Sequence, residues 1–103
     1  MVMNKLVRDG KVAILYSPEH GAGWYSWHQI EELLFDPSIV KWIESEEYEK
    51  IEHYLTLKYP NEYFGGLDDL VIKWIDQGTE FQIHEYDGAE SIEYREKQEW
   101  LIA

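Results

Sequence analysis

The sequence predicts a small α+β domain in which an antiparallel sheet, made of an N-terminal strand and a C-terminal meander, packs against two or three central helices. Apolar residues alternate over residues 11–16, follow helical spacing over 28–57, and alternate again over 70–95. A strand, then helices, then a run of strands is typical of helices packed on one face of a sheet. Because 103 residues suffice for one hydrophobic core and not for two, we expect residues 1–103 to form a single domain.

The first predicted element is a hairpin that leads into the central strand. Asp9-Gly10 separates two short apolar stretches, and this pair is favoured in tight hairpin turns, whose two central residues need positive φ. The strand over residues 11–16 carries apolar side chains at both odd and even positions. A strand that is apolar on both faces is expected to lie in the middle of a sheet and to be covered on both sides.

The central helices are predicted from their capping residues and apolar spacing. Ser26 is the candidate cap of a short helix that begins near His28. Asp36-Pro37 matches the cap and the first position of a second helical region, which runs over residues 38–57. A break near Ser45-Glu46 would divide this region into two helices, and one unbroken helix is the alternative.

The last third of the chain predicts strands. Residues 70–86 contain two alternating runs, separated by a turn at Asp76-Gln77-Gly78. Asp87-Gly88 is a second hairpin signal, and a more exposed strand follows it at residues 91–95. Residues 100–102 form a terminal apolar segment.

The charge balance restricts the classes of partner. The chain has 9 basic and 21 acidic residues, which gives a net charge of −12. Such a chain repels nucleic-acid phosphates and anionic lipids, so we expect direct binding neither to nucleic acid nor to membranes. Two interpretations remain open: the charge serves solubility alone, or it meets a basic surface on a partner protein. A mimic of nucleic acid is the extreme form of the second.

Cysteine usage and the N-terminal residues bear on the compartment. The chain contains no cysteine, which excludes a disulfide framework and thiolate chemistry. Residues 1–8 lack the apolar core and cleavage site of a signal peptide. No apolar run approaches the roughly 20 residues that a membrane helix needs. We therefore expect a cytoplasmic protein, with either Met1 or Met3 as its native start.

A glycine-containing loop, rich in aromatic residues, follows the central strand and is the candidate ligand-binding site. Helix N-termini after such loops present free N–H groups that bind anions. The dinucleotide motif needs a glycine where this chain has Ser26, and the lysine of the phosphate loop is missing. Stacking of a flat, nucleotide-like molecule is the expected contact, and a loop that only turns a corner and buries its two indoles is the alternative. The candidate residues are Gly21, Gly23, Trp24, Tyr25, Trp27 and His28.

The sequence contains no specific catalytic or metal-binding motif. The histidines lack zinc-site spacing, and a site made of His20 and His28 with Glu19 or Asp87 is a weak alternative. Adjacent carboxylates diverge on a helix, and no serine lies in a nucleophile motif. We therefore predict a protein that is not an enzyme and that needs no metal or cofactor. A hydrolase that uses a pair of acidic residues is the remote alternative.

Two sets of acidic residues are the strongest functional signal. If both sets face the same way, they form one negative surface, whose field speeds association with a basic groove. A tryptophan or tyrosine at its centre would supply the desolvated anchor that charge alone lacks. The predicted partner-binding residues are Glu44, Glu46, Glu47, Glu49 and Glu52 in the helical region, and Glu85, Asp87 and Glu90 in the last hairpin.

Several segments resemble a family of small acidic proteins that bacteriophages and prophages encode and that carry no assigned activity. The similarity covers nearly the whole chain and rests on Val12-Ala-Ile-Leu-Tyr-Ser-Pro18, Gly21-Ala-Gly-Trp-Tyr-Ser-Trp27, Glu32-Leu-Leu-Phe-Asp-Pro37, Gly65-Gly-Leu-Asp-Asp69 and Glu85-Tyr-Asp-Gly-Ala-Glu-Ser-Ile92. The resemblance implies a phage accessory protein in the host cytosol. Small acidic phage proteins include inhibitors of host defence, such as anti-CRISPR proteins; some mimic nucleic acid and others sequester nucleotide signals.

Together these observations predict a non-enzymatic, acidic interaction protein of phage origin. In its sharper form it is a host-defence antagonist that mimics nucleic acid or inhibits a basic site on a host protein. The alternative function is a module that binds or sequesters a nucleotide-like small ligand at the loop of residues 21–28.

Overall fold

The secondary structure confirms the predicted α+β class. A computed structural model describes residues 4–19, 21, 23–62, 64 and 67–94. The predicted terminal segment 100–102 lies outside this part of the chain. The strands are β1 (Val7–Arg8), β2 (Lys11–Tyr16), β3 (Val71–Asp76), β4 (Phe81–Tyr86) and β5 (Ala89–Tyr94). The helices are α1 (Tyr25–His28), α2 (Pro37–Glu44) and α3 (Tyr48–Lys58), with 3₁₀ helices at Glu31–Leu34 and Leu67–Asp69.

Strand β2 lies at the centre of a three-stranded antiparallel sheet, as its two apolar faces predict. The sheet order is β1-β2-β3, and Val12 pairs with Ile75 while Ala13 pairs with Trp74. The four residues 12–15 are all buried. Burial on both faces means that two separate layers must cover this sheet.

Strands β4 and β5 form a second, two-stranded sheet instead of continuing the first one. Gly78 at φ +88° and a hydrogen bond from Thr79 N to Asp76 O (3.1 Å) turn the chain after β3. The hairpin then lies over a face of the first sheet, where Phe81, Ile83 and Ile92 pack on buried residues of β2 and β3. The physical reason is that helices α2 and α3 cover only one face of β2. The other apolar face is covered by the hairpin together with Leu34 and Phe35.

The core therefore has two parts, one on each face of the central sheet. The first part joins Ala13 and Leu15 of β2 to residues of α2 and α3, among them Ile39, Ile51 and Leu55. The second part joins the even-numbered residues of β2 to the hairpin side. The order of layers is helices α2 and α3, the β1-β2-β3 sheet, and the β4-β5 hairpin.

Local sequence signals set several element boundaries. Asp36 Oδ1 accepts hydrogen bonds from Ser38 N (2.9 Å) and Ile39 N (3.3 Å), and Pro37 begins α2, so the predicted cap is confirmed. The break near Ser45-Glu46 is also confirmed, because α2 and α3 are separate helices and Glu46 has φ +58°. Both predicted hairpin turns are confirmed by positive φ at both central residues, 50° and 75° at Asp9-Gly10 and 49° and 83° at Asp87-Gly88.

The predicted cap at Ser26 is wrong. Helix α1 begins at Tyr25, so Ser26 lies inside it, and its buried hydroxyl has no hydrogen-bond partner. The backbone N–H of Ser26 donates instead to a carboxylate oxygen of Glu90 (2.7 Å), which takes the place of a local cap. Within the described residues, no helix is long and apolar enough to cross a bilayer.

Candidate functional site

The outer side of the helical layer carries an open groove. Helices α2 and α3 bury one side against the central sheet and join through a short turn at residues 45–47. The groove on their other side has a volume of about 410 Å³. Its lining residues are Trp42, Glu49, Lys50, His53, Tyr54 and Leu57.

Aromatic and aliphatic side chains make this groove mostly apolar. The rings of Trp42 and Tyr54 meet edge to face, with centroids 5.4 Å apart. Leu57, in the last turn of α3, lines the same groove and is 70% exposed. A large apolar side chain left in water beside an aromatic groove is typical of a surface that binds another molecule.

Two of the five predicted helical carboxylates already have internal partners. Glu44 accepts two hydrogen bonds from the Arg8 guanidinium (2.5 and 2.8 Å), and these lower the pKa of Glu44. Glu47 pairs with Lys50 (2.7 Å) and accepts from the Ser45 hydroxyl (2.7 Å), and these contacts lower the pKa of Glu47. The charges of Glu44 and Glu47 are thus largely compensated inside the protein.

The other three helical carboxylates have no such compensation. Glu46, Glu49 and Glu52 are exposed, and their side chains make no hydrogen bond or ion pair with any described residue. Glu46 lies in the α2–α3 turn, Glu49 in the first turn of α3, and Glu52 further along α3. The uncompensated negative charge of the helical layer is therefore concentrated at the turn and along α3, where Glu49 also lines the groove.

Two of the three acidic residues predicted in the hairpin, Glu85 and Glu90, use their carboxylates within the fold. Glu90 is only 3% exposed, so its prediction as a partner-binding residue is wrong. Its carboxylate accepts from Ser17 N (2.9 Å) and Ser26 N (2.7 Å), and holds the hairpin against the loop after β2. Glu85 accepts from Gly88 N (2.5 Å) within the turn, while the carbonyl of the exposed Asp87 accepts from Gly21 N (3.0 Å).

The two acidic sets lie in different layers. The helices and the hairpin pack on opposite faces of the central sheet, as the two parts of the core show. The condition for a single negative surface, that both sets face the same way, is therefore not met. In the α2–α3 set, the free carboxylate of Glu49 lines the groove between the helices.

Most residues of the predicted ligand-binding loop are buried or hydrogen-bonded within the protein. Trp24 is fully buried and its Nε1 donates to Leu33 O (3.2 Å), so its prediction as a stacking residue is wrong. Gly23 is also buried, with no room for a side chain beside Ser26 and Trp27. The N–H of Gly21 is bonded to the hairpin, so it is not free for an anion.

His28 belongs to the aromatic cluster below this loop. Its ring meets Trp24 edge to face (4.6 Å) and lies 5.6 Å from Phe64 and 6.0 Å from Tyr25. Its Nδ1 accepts from Ile30 N (2.8 Å), and burial lowers the pKa of His28 to about 4. The ring is therefore neutral at pH 7, with its proton on Nε2.

Few of the predicted loop residues reach the surface. Trp27 is 54% exposed and Tyr25 is half-buried, whereas the other indole lies in the core. Within the part of the chain that the structure describes, no group of three side chains is arranged to hold a metal ion. His20, the other member of the weak metal alternative, lies outside the described residues.

Apart from Glu49, the groove residues were not predicted from the sequence as binding residues, although one signal for them exists. Leu57 follows Leu55 by two residues and so lies about 200° around the helix from it. An apolar residue at that position cannot join the core stripe of Ile51 and Leu55. Trp42 gives no comparable signal, because α2 also contains the apolar residues Ile39, Val40 and Ile43.

Comparisons of the chain with protein-family models, with curated proteins and with solved structures found no match.

Proposed function

We propose that this chain is a non-enzymatic interaction protein that binds a basic surface of another protein through its α2–α3 face. The observation that carries the proposal is an open apolar groove beside three exposed carboxylates, Glu46, Glu49 and Glu52, without partners among the described residues. We call the groove residues and these carboxylates together the α2–α3 face.

Apolar contact and charge have separate roles in this proposal. Trp42, Tyr54 and Leu57 supply apolar area that becomes desolvated on binding, and aromatic anchors of this kind dominate binding energies. The carboxylates supply a field that raises the association rate with a basic partner and selects against acidic ones. Because they have no partner among the described residues, a lysine or arginine can pair with them without breaking a contact described here.

The resemblance to small acidic phage proteins supports a host protein in the cytosol as the partner. On this proposal the protein is an antagonist of host defence, which blocks a basic site in the way that a nucleic-acid mimic does. The net charge of −12 fits such a site, because a site that binds nucleic acid is basic.

The test is an NMR titration of the full chain, labelled with ¹⁵N, with a basic peptide made of lysine and leucine. We expect shifts of the Trp42 indole N–H and of the amides of His53 and Leu57. Binding at about 50 mM NaCl should weaken steeply at about 500 mM, where the Debye length is only about 4 Å.

Two variants with equal charge separate this face from overall charge. Reversal of Glu46, Glu49 and Glu52 to lysine should abolish binding. Reversal of Glu19, Glu31 and Asp76, which are exposed and lie outside the α2–α3 face, changes the net charge equally and should leave most of the binding intact. Equal weakening by both triple variants, or shifts spread over the whole surface, would show that only net charge attracts the peptide and would overturn the proposal.

A further inference from the structure

Resting on the proposed function, we infer that the partner segment in the groove is an amphipathic α-helix with its basic residues at one end of an apolar stripe. Three features of the groove favour this partner: the hydrogen bonding of its helical backbone, the spacing of its side chains, and the distribution of charge along it.

The backbone around the groove presents no free N–H or C=O groups within the helices with which an extended peptide could form hydrogen bonds. Its walls are helices whose internal N–H and C=O groups bond to each other, and the end of α2 is closed by Ser45, which donates to Lys41 O and Trp42 O. An extended segment laid on these side chains would leave its own backbone groups unpaired against apolar rings. A helix satisfies its backbone internally, so only its side chains need to fit the groove.

The spacing of the groove residues matches another helix. Glu49, His53 and Leu57 follow each other at intervals of four residues along α3. Residues at this spacing lie on one side of a helix and repeat about every 6 Å, which is the spacing of i, i+4 and i+8 side chains on a partner helix. Helix α3 has 11 residues and so offers about 16 Å, enough for about three turns of the partner.

The charge along the groove sets which end of the partner is basic. Glu46 and Glu49 lie at the end near the α2–α3 turn, whereas Leu57 and Lys58 lie at the other end of α3. Lysines or arginines of the partner therefore lie near the turn, and its apolar residues lie over Tyr54 and Leu57.

A second copy of this chain is a poor occupant of the same groove. Each chain carries −12, so two α2–α3 faces brought together would place free carboxylates against each other. The apolar groove itself does not exclude self-association, so the test below includes the oligomeric state of the protein alone.

The test uses three peptides of about 14 residues that share one composition of lysine and leucine, apart from one proline. In the first, leucines recur at helical spacing and the lysines gather at one end; in the second, leucine and lysine alternate; the third is the first with a central proline. We expect the first peptide to gain helical circular dichroism on binding and to bind about tenfold more tightly than the other two. A spin label at its basic end should broaden the amides of Glu46 and Glu49 and leave Leu57 sharp.

A pair of serine variants tests the groove with a matched control. Leu57→Ser should weaken the first peptide by about tenfold, whereas Val7→Ser, which removes an exposed apolar side chain from β1, should not. Equal binding of all three peptides, still sensitive to the Glu46, Glu49 and Glu52 reversals, would overturn the helical partner and leave the proposed function intact. Binding of none of them would overturn both, and a dimer of the protein alone that Leu57→Ser dissociates would identify a second copy as the occupant.

Discussion

Glu90 is the residue that connects the hairpin layer to the loop after β2. Its carboxylate accepts from two backbone N–H groups, and its own N–H donates to Ser17 O (2.7 Å). Its partners, Ser17 and Ser26, are separated from it by 73 and 64 positions. One carboxylate therefore fixes the start of α1, the end of β2 and the start of β5 in one place.

Glu90→Ala should be strongly destabilising. The change leaves the buried N–H of Ser17 and the partly buried N–H of Ser26 without an acceptor. Hydrogen bonds to a charged group are worth about 1.5–3 kcal/mol each. We expect the free energy of unfolding, measured with urea, to fall by about 2–4 kcal/mol. The free energy of unfolding of Glu90→Gln should lie between those of Glu90→Ala and the wild type, because the amide keeps one acceptor oxygen.

The control for this prediction is Glu93→Ala on the same strand. Glu93 is exposed and its side chain pairs with that of His84 (2.8 Å), which is also exposed, so we expect little change in stability. Similar urea midpoints for Glu90→Ala and Glu93→Ala would contradict the role given to Glu90.

His28 should make the folded state sensitive to acid. Burial lowers the pKa of His28 in the folded protein from 6.5 to about 4. The folded state therefore binds this proton only at a lower pH than the unfolded state does. The stability from the neutral ring is complete above pH 6.5 and is lost as the pH falls from 6.5 through 4. Because the ring is partly exposed, we expect a loss of about 1 kcal/mol between pH 7 and pH 4.5, less than the full shift would give.

The measurement compares wild type with His28→Asn across this pH range. Asparagine keeps an acceptor for Ile30 N but does not titrate, so its unfolding free energy should fall less steeply with acid. His53→Asn changes an exposed histidine and should follow the wild-type curve. A wild-type curve parallel to that of His28→Asn would show that this ring contributes nothing to the pH dependence.

Among the elements, the turn of the hairpin needs a glycine for a reason beyond its φ angle. A methyl group at Gly88 would lie 1.5 Å from the carbonyl oxygen of Gly21, in a place where the two backbones touch. Gly78 has nearly the same φ, +88° against +83°, but nothing lies within 4 Å of an added methyl group. An alanine at Gly78 would therefore experience backbone strain alone, whereas an alanine at Gly88 would experience the same strain and a steric clash.

Gly88→Ala should cost much more stability than Gly78→Ala. The left-handed φ alone costs about 1 kcal/mol for alanine, and this is the loss expected at Gly78. At Gly88 the clash adds to it, so we expect a loss of more than about 3 kcal/mol, or a hairpin that no longer docks. Thermal unfolding with circular dichroism measures both variants, and equal losses would mean that the hairpin does not touch the loop.

Elements defined by neighbouring residues were the ones that could be predicted from the sequence. The Asp36-Pro37 cap, the two Asp-Gly turns and the break at Ser45-Glu46 each depend on a few adjacent residues, and all are confirmed. The separation of β4 and β5 from the first sheet depends on which layer covers the second face of β2. That choice is made by packing between distant segments, which no local pattern contains.

The same distinction applies to the candidate site. An acidic helical region was predicted correctly as a segment, but the sequence could not show that Glu44 pairs with Arg8 of β1, 36 positions away. Glu90 looks like the other acidic residues of the chain until its distant partners are known. Trp24 has the sequence context of an exposed loop, yet the loop folds inward and seals this indole in the core.

At the scale of the whole molecule, the layered arrangement isolates the α2–α3 face electrostatically. The chain measures 27 Å along its shortest dimension. The Debye length at physiological salt is about 8 Å, so charges on the hairpin layer are screened from a partner on the helical layer. On the proposed function, a basic partner is therefore attracted by the carboxylates of the α2–α3 face more strongly than by the acidic residues of the hairpin layer.

Free carboxylates in a chain of net charge −12 destabilise the folded state through mutual repulsion. Replacement of Glu46, Glu49 and Glu52 by glutamine should therefore raise the melting temperature by a few degrees at about 10 mM NaCl. The gain should disappear at about 500 mM NaCl, where repulsion is screened.

The same variant should lose affinity for the basic peptide, so that stability and binding change in opposite directions, as expected where a surface is retained for function. A melting temperature unchanged or lowered at low salt would mean that these carboxylates are not under repulsion, and the case for an uncompensated acidic face would fail with it.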